Sequence, residues 1–272
     1  MSLKKALRLE AFFHSQPRGE VFCVRYSPEL DNAQARLVLV APPLFEELNQ
    51  CRSFVARLAE RLALAGNVVL SPDYIGTGDS GGEFIDYNLQ DWAASVHEFL
   101  KLIDENKAPI SAVAVRGGAL VLAEALRTSK FEIDELFLVE PVTNGRQHLS
   151  EFFRVRLARA LFEGKPQSHE DLLDEMVRKG RVEVMGYPVS QELYRQICAA
   201  NASTLGEVPT VHVLERNKPK IEPLETTFPF AVGRIERELF SVPAFWAMDI
   251  DVETDEIERS IARQFSAPGS VR

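Results

Sequence analysis

The stretch Ile110-Ser111-Ala112-Val113-Ala114-Val115-Arg116-Gly117-Gly118-Ala119-Leu120 decides how this chain is built. Ile110 to Val115 is a short, nearly continuous apolar run, which suits a strand buried on both faces. Gly117 to Leu126 continues in small and apolar residues and reads as a helix. Between them Ala114, Gly117 and Gly118 surround one long cation, Arg116. A strand that turns tightly into a helix needs tiny residues at the apex, because the helix backbone approaches the strand closely. The expectation is a strand–turn–helix with Arg116 at its apex; an ordinary βα turn would look the same on these residues alone.

Upstream, the same alternation repeats. Leu37 to Ala41 is an apolar strand stopped by Pro42-Pro43, and Arg52 to Leu64 is helical, with Phe54, Val55, Leu58, Ala59 and Leu62 on one stripe. Val68-Val69-Leu70 is the next strand. A loop rich in Gly and Asp follows from Asp73 to Gly82, and Leu89 to Ile103 is helical again. Downstream, Leu136 to Val139 is another strand. Strands alternating with helices make a parallel sheet covered on both faces, since right-handed crossovers place helices on either side. Leu7 to Phe13 and Glu20 to Tyr26, joined through Pro17-Arg18-Gly19, read as an antiparallel hairpin at the sheet edge.

The pattern breaks after Asn144. Leu149 to Phe162, Glu170 to Lys179 and Ser190 to Ala200 are helical, with one short strand-like piece, Val182-Glu183-Val184. Pro209 to Leu214 resumes the sheet. A last strand is expected over Val242 to Met248 and a final helix over Thr254 to Gln264. This predicts a core over 1–144 and 208–272 with a helical lid or cap inserted over 145–207.

Composition bounds the function. With 272 residues, 46% apolar and 26% charged, the chain can bury a core without metal or disulfide staples. The net charge of -9 argues against nucleic acid or an anionic membrane as the main partner. Cys23, Cys51 and Cys198 are odd in number and widely spaced. They form neither a disulfide framework nor a metal knuckle, so a reducing compartment is expected and no metal. The basic start lacks an apolar signal core, and no stretch nears the about eighteen apolar residues of a membrane span. A cytoplasmic protein without a transmembrane segment is expected.

In an open parallel sheet, ligands sit beyond the carboxyl ends of the strands. The loops there hold Pro43, Glu46, Glu47 and Asn49; Asp79 and Ser80; Gly117; Glu140; and Glu215, which with Arg116 form the candidate pocket. Asp73-Tyr74-Ile75-Gly76-Thr77-Gly78-Asp79-Ser80 has neither a GxGxxG nor a GKS/GKT pattern, so no nucleotide or other cofactor is expected.

These junctions resemble those of the α/β-hydrolase superfamily. There the elbow GxSxG holds a nucleophile at a strained angle, and Ala114-Val115-Arg116-Gly117-Gly118 matches it as AxRxG. The resemblance implies an oxyanion loop at Ala41 to Asn49. Pro42 and Pro43 lack backbone donors there, and Glu46 and Glu47 would oppose negative charge. It also implies an acid after the late strands, with Glu215 and Glu222 as candidates, and a histidine after the last strand. None of His14, His97, His148, His169 and His212 stands there; His212 falls inside a strand and reads as structural, and His148 and His169 fall in the lid. Serine chemistry needs nucleophile, base and acid together, so the usual triad is absent and no catalytic residue can be named. Arg116 stays protonated and cannot be nucleophile or base. It can pair with the rim carboxylates as a structural hub, or hold a planar anion in a retained pocket. Cys51 lacks a histidine partner and reads as a quiet buried thiol.

More closely, the chain resembles the second type of exosortase A system-associated hydrolase, found in bacteria with PEP-CTERM protein sorting. The likeness is carried in order by Pro42 to Asn49, Asp73 to Gly81, the elbow arginine, Glu140-Pro141-Val142-Thr143-Asn144-Gly145, Glu151-Phe152-Phe153-Arg154, Val184-Met185-Gly186-Tyr187 and Phe245-Trp246. Glu140 stands where that family has glutamine, and Ala114 where it has glycine. The resemblance implies a setting of exosortase and exopolysaccharide export, with an exosortase-system protein as a partner. It names no substrate. A small anionic or acyl-bearing ligand and an esterase or thioesterase working without a triad both stay open.

Overall fold

The computed structural model describes residues 7–29, 35–104, 109–127, 131–205, 207–218, 223–228, 231–247 and 252–266. Its centre is an eight-stranded sheet: β1 (Leu7–Gln16), β2 (Gly19–Pro28), β3 (Leu37–Ala41), β4 (Val68–Pro72), β5 (Ile110–Val115), β6 (Glu135–Val139), β9 (Val208–Arg216) and β10 (Ala231–Phe240), in the order β1-β2-β4-β3-β5-β6-β9-β10. β1 and β2 form the antiparallel edge hairpin, and β2 meets β4 antiparallel. Every other pair from β4 to β10 is parallel. The sheet is therefore mostly parallel, with an N-terminal antiparallel hairpin.

Alternation along the central strands explains why both faces are covered. Val38 and Val40 of β3 and Val113 and Val115 of β5 pack with α2 (Arg52–Leu64) and the last described helix (Asp255–Ser266) through Phe54, Leu58, Leu62 and Ile261. Leu39, Ala41, Ala112 and Ala114 point the other way, to α3 (Leu89–Asp104) and α4 (Gly118–Arg127) through Val96, Leu100 and Leu120. The alanines on β5 let α4 lie close to the sheet.

Between β6 and β9 the chain leaves the sheet. It forms α5 (Gly145–Phe162), α6 (His169–Lys179), a hairpin of β7 (Arg181–Val184) with β8 (Tyr187–Ser190), and α7 (Gln191–Ala199). Capping marks these helices: Asn144 accepts from Gln147 N, Ser190 from Leu193 N, and Ser168 with Asp171 closes a capping box. The second strand of the hairpin had no sequence signal, because Tyr187-Pro188-Val189-Ser190 is short and carries a proline.

The last strand is not where apolarity placed it. β10 spans Ala231–Phe240, and Ser241 to Ala247 is a loop ending in a single 3-10 turn, Phe245–Ala247; Met248 lies outside the described residues. β10 is a sheet edge, so Arg234, Glu236 and Glu238 can alternate along it and hide its strand character. The following loop is apolar for another reason: it packs into the core, with Phe245 4.8 Å from Phe54. Pro243 also lacks the donor that a central strand would need.

Candidate functional site

The β5–α4 turn stands at the carboxyl end of the sheet. Arg116 is its apex, with φ 51°, in the left-handed region that bulky residues avoid. The neighbouring backbone over-determines that conformation. Arg116 N donates to Val139 O at 3.0 Å, and Arg116 O accepts from Val142 N at 3.1 Å and Ala119 N at 3.2 Å. A Cβ on Gly118 would come 2.1 Å from Ala41 O, so α4 can start this near β3 only with glycine there. Phe45 (φ 55°) and Glu140 (φ 45°) are strained in the same way. Three of the four non-glycine residues with positive φ among the described residues thus meet at this end of the sheet. Such clustering is common where surrounding structure enforces a functional or closed geometry.

The Arg116 side chain is almost fully engaged. Its Nη2 lies 3.0 Å from Glu47 Oε1 and its Nε 3.2 Å from Glu47 Oε2, a bidentate pair, while Nη1 donates to Glu140 O at 3.0 Å. The guanidinium lies over the Trp246 ring at 4.3 Å, and Arg216 lies over the same ring at 4.6 Å. Only 12% of the Arg116 side chain and 19% of Glu47 remain exposed. Burial pushes the Glu47 carboxyl above its usual range, and the Arg116 charge opposes that shift without cancelling it.

His148, from the first turns of α5, is buried beside this pair. Its ring stacks against Phe45 at 6.0 Å, and its Nε2 has no hydrogen-bond partner. Burial first, and the Arg116 charge second, lower its pKa to about 4, so the ring is neutral near pH 7. The Cys51 thiol, also buried here, is pushed far above its ordinary value by burial and then by Glu47, so it is not a thiolate.

Solved structures give the fold its place. The chain is similar to Est1E of Butyrivibrio proteoclasticus, a structure with ferulic acid bound, at 14% identity and a TM-score of 0.62, covering 94% of this chain and 96% of that one. It is similar to a carboxyl esterase of Bacillus coagulans (14% identity, TM-score 0.59, 95% and 97% covered). A proline iminopeptidase of Mycobacterium smegmatis is also similar (14% identity, TM-score 0.58, 94% and 97% covered). The chain has the α/β-hydrolase fold. No family model matches its sequence, and no curated protein matches it; at these identities the likeness is one of fold.

Within this hydrolase fold the sequence-selected residues separate into groups. Glu47, Gly117 and the Glu140 backbone surround Arg116, and Gly117 leaves room for Leu44, which a Cβ would approach to 2.7 Å. The Glu140 carboxylate is buried and turned elsewhere: it accepts from the Arg216 backbone N–H and lies 3.3 Å from Lys218 Nζ. Glu215 pairs with Arg237 at 2.9 Å and Lys218 at 3.3 Å. Glu46 does not contact Arg116; it accepts from Asn49 at 3.0 Å and from the Tyr187 hydroxyl at 3.2 Å. Ser80 is a buried strut, donating to Asp73 O and accepting from Phe22 N, and Asp79 is exposed, its N–H donating to Asp73. Pro43 is buried beside Leu44. Glu222 lies outside the described residues.

His212 does lie in β9, 2.9 Å from Glu135 and stacked on Phe137 at 4.5 Å. Sequence reasoning missed Trp246 and Arg216 as partners of the apex, and His148 as its buried neighbour. Trp246 was marked in the sequence only as part of the Phe245-Trp246 pair, inside a stretch expected to be the last strand, with nothing to tie it to the apex. Among the described residues, no three His, Cys, Asp or Glu side chains converge as a metal site, and no helix is long and apolar enough to cross a membrane.

Proposed function

We propose that this hydrolase-fold protein works by binding rather than by acyl transfer, and that its β5–α4 turn is a nucleophile elbow closed by an arginine. The bidentate Arg116–Glu47 pair under the Trp246 ring carries this reading. At the apex a hydrolase needs a free nucleophile, a base in reach and donors aimed at a developing oxyanion. Here the apex group is a protonated guanidinium and its neighbour is a carboxylate. The loop after β10, from which the base would come, supplies an indole. An anion entering this place would have to displace Glu47 from two hydrogen bonds, so Arg116 is better suited as a structural hub than as an anion-binding residue.

We further infer that residues 145–207 form the lid over this end of the sheet. We also infer that the protein serves, in the cytoplasm, the exosortase- and exopolysaccharide-related export system to which its motifs point. Support for that association is the ordered set from Pro42-Pro43 to Phe245-Trp246.

Purified protein offered p-nitrophenyl acetate, butyrate and octanoate, and butyryl-coenzyme A, should match a buffer blank. Turnover that disappears in Arg116→Ala would overturn the binding assignment in favour of an esterase or thioesterase acting without a triad. For the cellular role, a deletion strain should lose PEP-CTERM protein sorting or exopolysaccharide export and regain it with the gene; unchanged sorting and export would remove that assignment.

A further inference from the structure

A hollow lies on the other side of Leu44 from Arg116. It is a cavity of about 210 Å³, walled by the rings of Phe45, Tyr74, Phe84, Trp92 and Tyr187, and neither Arg116 nor Gly117 lines it. The exposed members of its lining, Asn49, Gly78 and Gly186, mark the mouth, between the loop after β4 and the β7–β8 turn. Leu44 lines this cavity and also packs on Gly117, so it is the partition between the hollow and the closed elbow.

The polar groups in the wall are already satisfied. Tyr74 donates its hydroxyl to Pro42 O at 2.8 Å, Trp92 its indole N–H to Ile75 O at 3.0 Å, and Thr77 its hydroxyl to Tyr74 O at 2.8 Å. The interior therefore offers ring surface and no free side-chain donor, and an apolar space of this size accommodates a single ring. The mouth differs. Asn49 Nδ2 donates to Glu46 and to Tyr187 Oη, and Tyr187 Oη donates to Glu46, so every side-chain donor there is spent. One acceptor remains on the lining: among the described residues Asn49 Oδ1 meets no donor, while Glu46 does not line the cavity and holds Asn49 and Tyr187 from behind. Aromatic walls, an open amide acceptor and a carboxylate one hydrogen bond behind it favour a cationic or hydrogen-bond-donating head group and oppose an anionic one.

We propose that this cavity is a binding site for a small aryl group carrying an amine or alcohol, with the ring between Tyr74, Phe84 and Trp92 and the polar head at Asn49 Oδ1. The site needs no chemistry at the elbow, so it stands whether or not the elbow is inert.

Benzylamine, benzyl alcohol and benzoate are matched probes of equal ring size. Calorimetric titration of the wild-type protein should give a Kd of about 0.1–1 mM for the amine, as expected of so small a ligand, weaker binding for the alcohol and none for benzoate. The protein has two tryptophans. In a ¹H–¹⁵N spectrum the Trp92 indole resonance should move on titration while that of Trp246 stays. Asn49→Leu should weaken benzylamine and benzyl alcohol about fivefold, roughly one hydrogen bond, whereas Glu46→Gln, which removes the charge behind Asn49, should weaken the amine and change the alcohol little. Arg116→Met combined with Glu47→Leu, which removes both elbow charges together, should leave both affinities within about twofold, which separates this site from the elbow. Absence of a Trp92 shift with either neutral or cationic probe would overturn the assignment, as would benzoate binding as tightly as benzylamine.

Discussion

Two regions a few side chains apart, on either side of Leu44, are built in opposite ways. On one side the elbow is filled: a guanidinium, a carboxylate and an indole occupy it. On the other side aromatic rings wall a cavity of about 210 Å³. Both are controlled by one short helix, α1 (Glu46–Gln50). Consecutive helical residues point about 100° apart. Glu47 therefore reaches Arg116, while Glu46 reaches Tyr187 and Asn49. The difference teaches that one end of a sheet can be closed with polar groups and lined with rings a few side chains away. The long cation at the β5–α4 apex is covered by its own counter-charge and an aromatic ring, whereas the cavity beyond Leu44 is walled by apolar surface.

The largest test of that contrast is Arg116→Met. It leaves the Glu47 carboxylate buried without its partner and should cost about 3–5 kcal/mol in urea unfolding. Arg116→Met combined with Glu47→Leu should recover most of the loss, because two apolar groups replace both charges together. A single-variant loss below about 1 kcal/mol would show that the pair is not a structural hub.

The next effect depends on pH. Native His148 is held at about 4, whereas an unfolded histidine titrates near pH 6.5. As pH falls from about 6.5 towards 4, the unfolded chain takes up a proton that the native one refuses. Stability should then drop by roughly 3 kcal/mol over that window. Glu47 acts in the opposite sense: its raised carboxyl costs stability above the ordinary carboxylate range, and protonation on acidification relieves that cost. His148→Phe should flatten the loss between pH 6.5 and 4 in a series of denaturant midpoints, and an unchanged slope would count against the buried, neutral imidazole.

The smallest expected effect lies on the hollow side. Tyr187→Phe removes one hydrogen bond to Glu46 at a half-buried mouth and should cost about 1 kcal/mol. A loss as large as that of Arg116→Met would mean that the two sides of Leu44 form one cooperative unit.

Most of the sheet could be read from local pattern. β3 and α2 lie over the same spans that apolar runs and helical stripes marked, Leu37–Ala41 and Arg52–Leu64. The glycines at 117 and 118 announced a close approach that Ala41 O then confirms. Elements at the periphery were harder. β10 is half solvated and carries alternating charges, so it does not stand out as a strand, while the apolar loop after it imitates one.

The site divides along the same line. A strand apex bearing Arg116, acidic loops around it and the lack of a histidine after the last strand are properties of residue type and order, and period and turn chemistry are enough to locate them. Which of the five rim carboxylates meets the guanidinium is a different kind of fact. Glu46 and Glu47 are neighbours in the chain, Glu140 and Glu215 are distant from both, and nothing local ranks them. Only the packing of α1 against the β5–α4 turn, and of the 245–247 turn over both, brings Glu47 and Trp246 onto Arg116 and turns Glu46 towards Tyr187. Charge pairing and cavity shape depend on distances between elements far apart in sequence, and those distances exist only once the chain has folded.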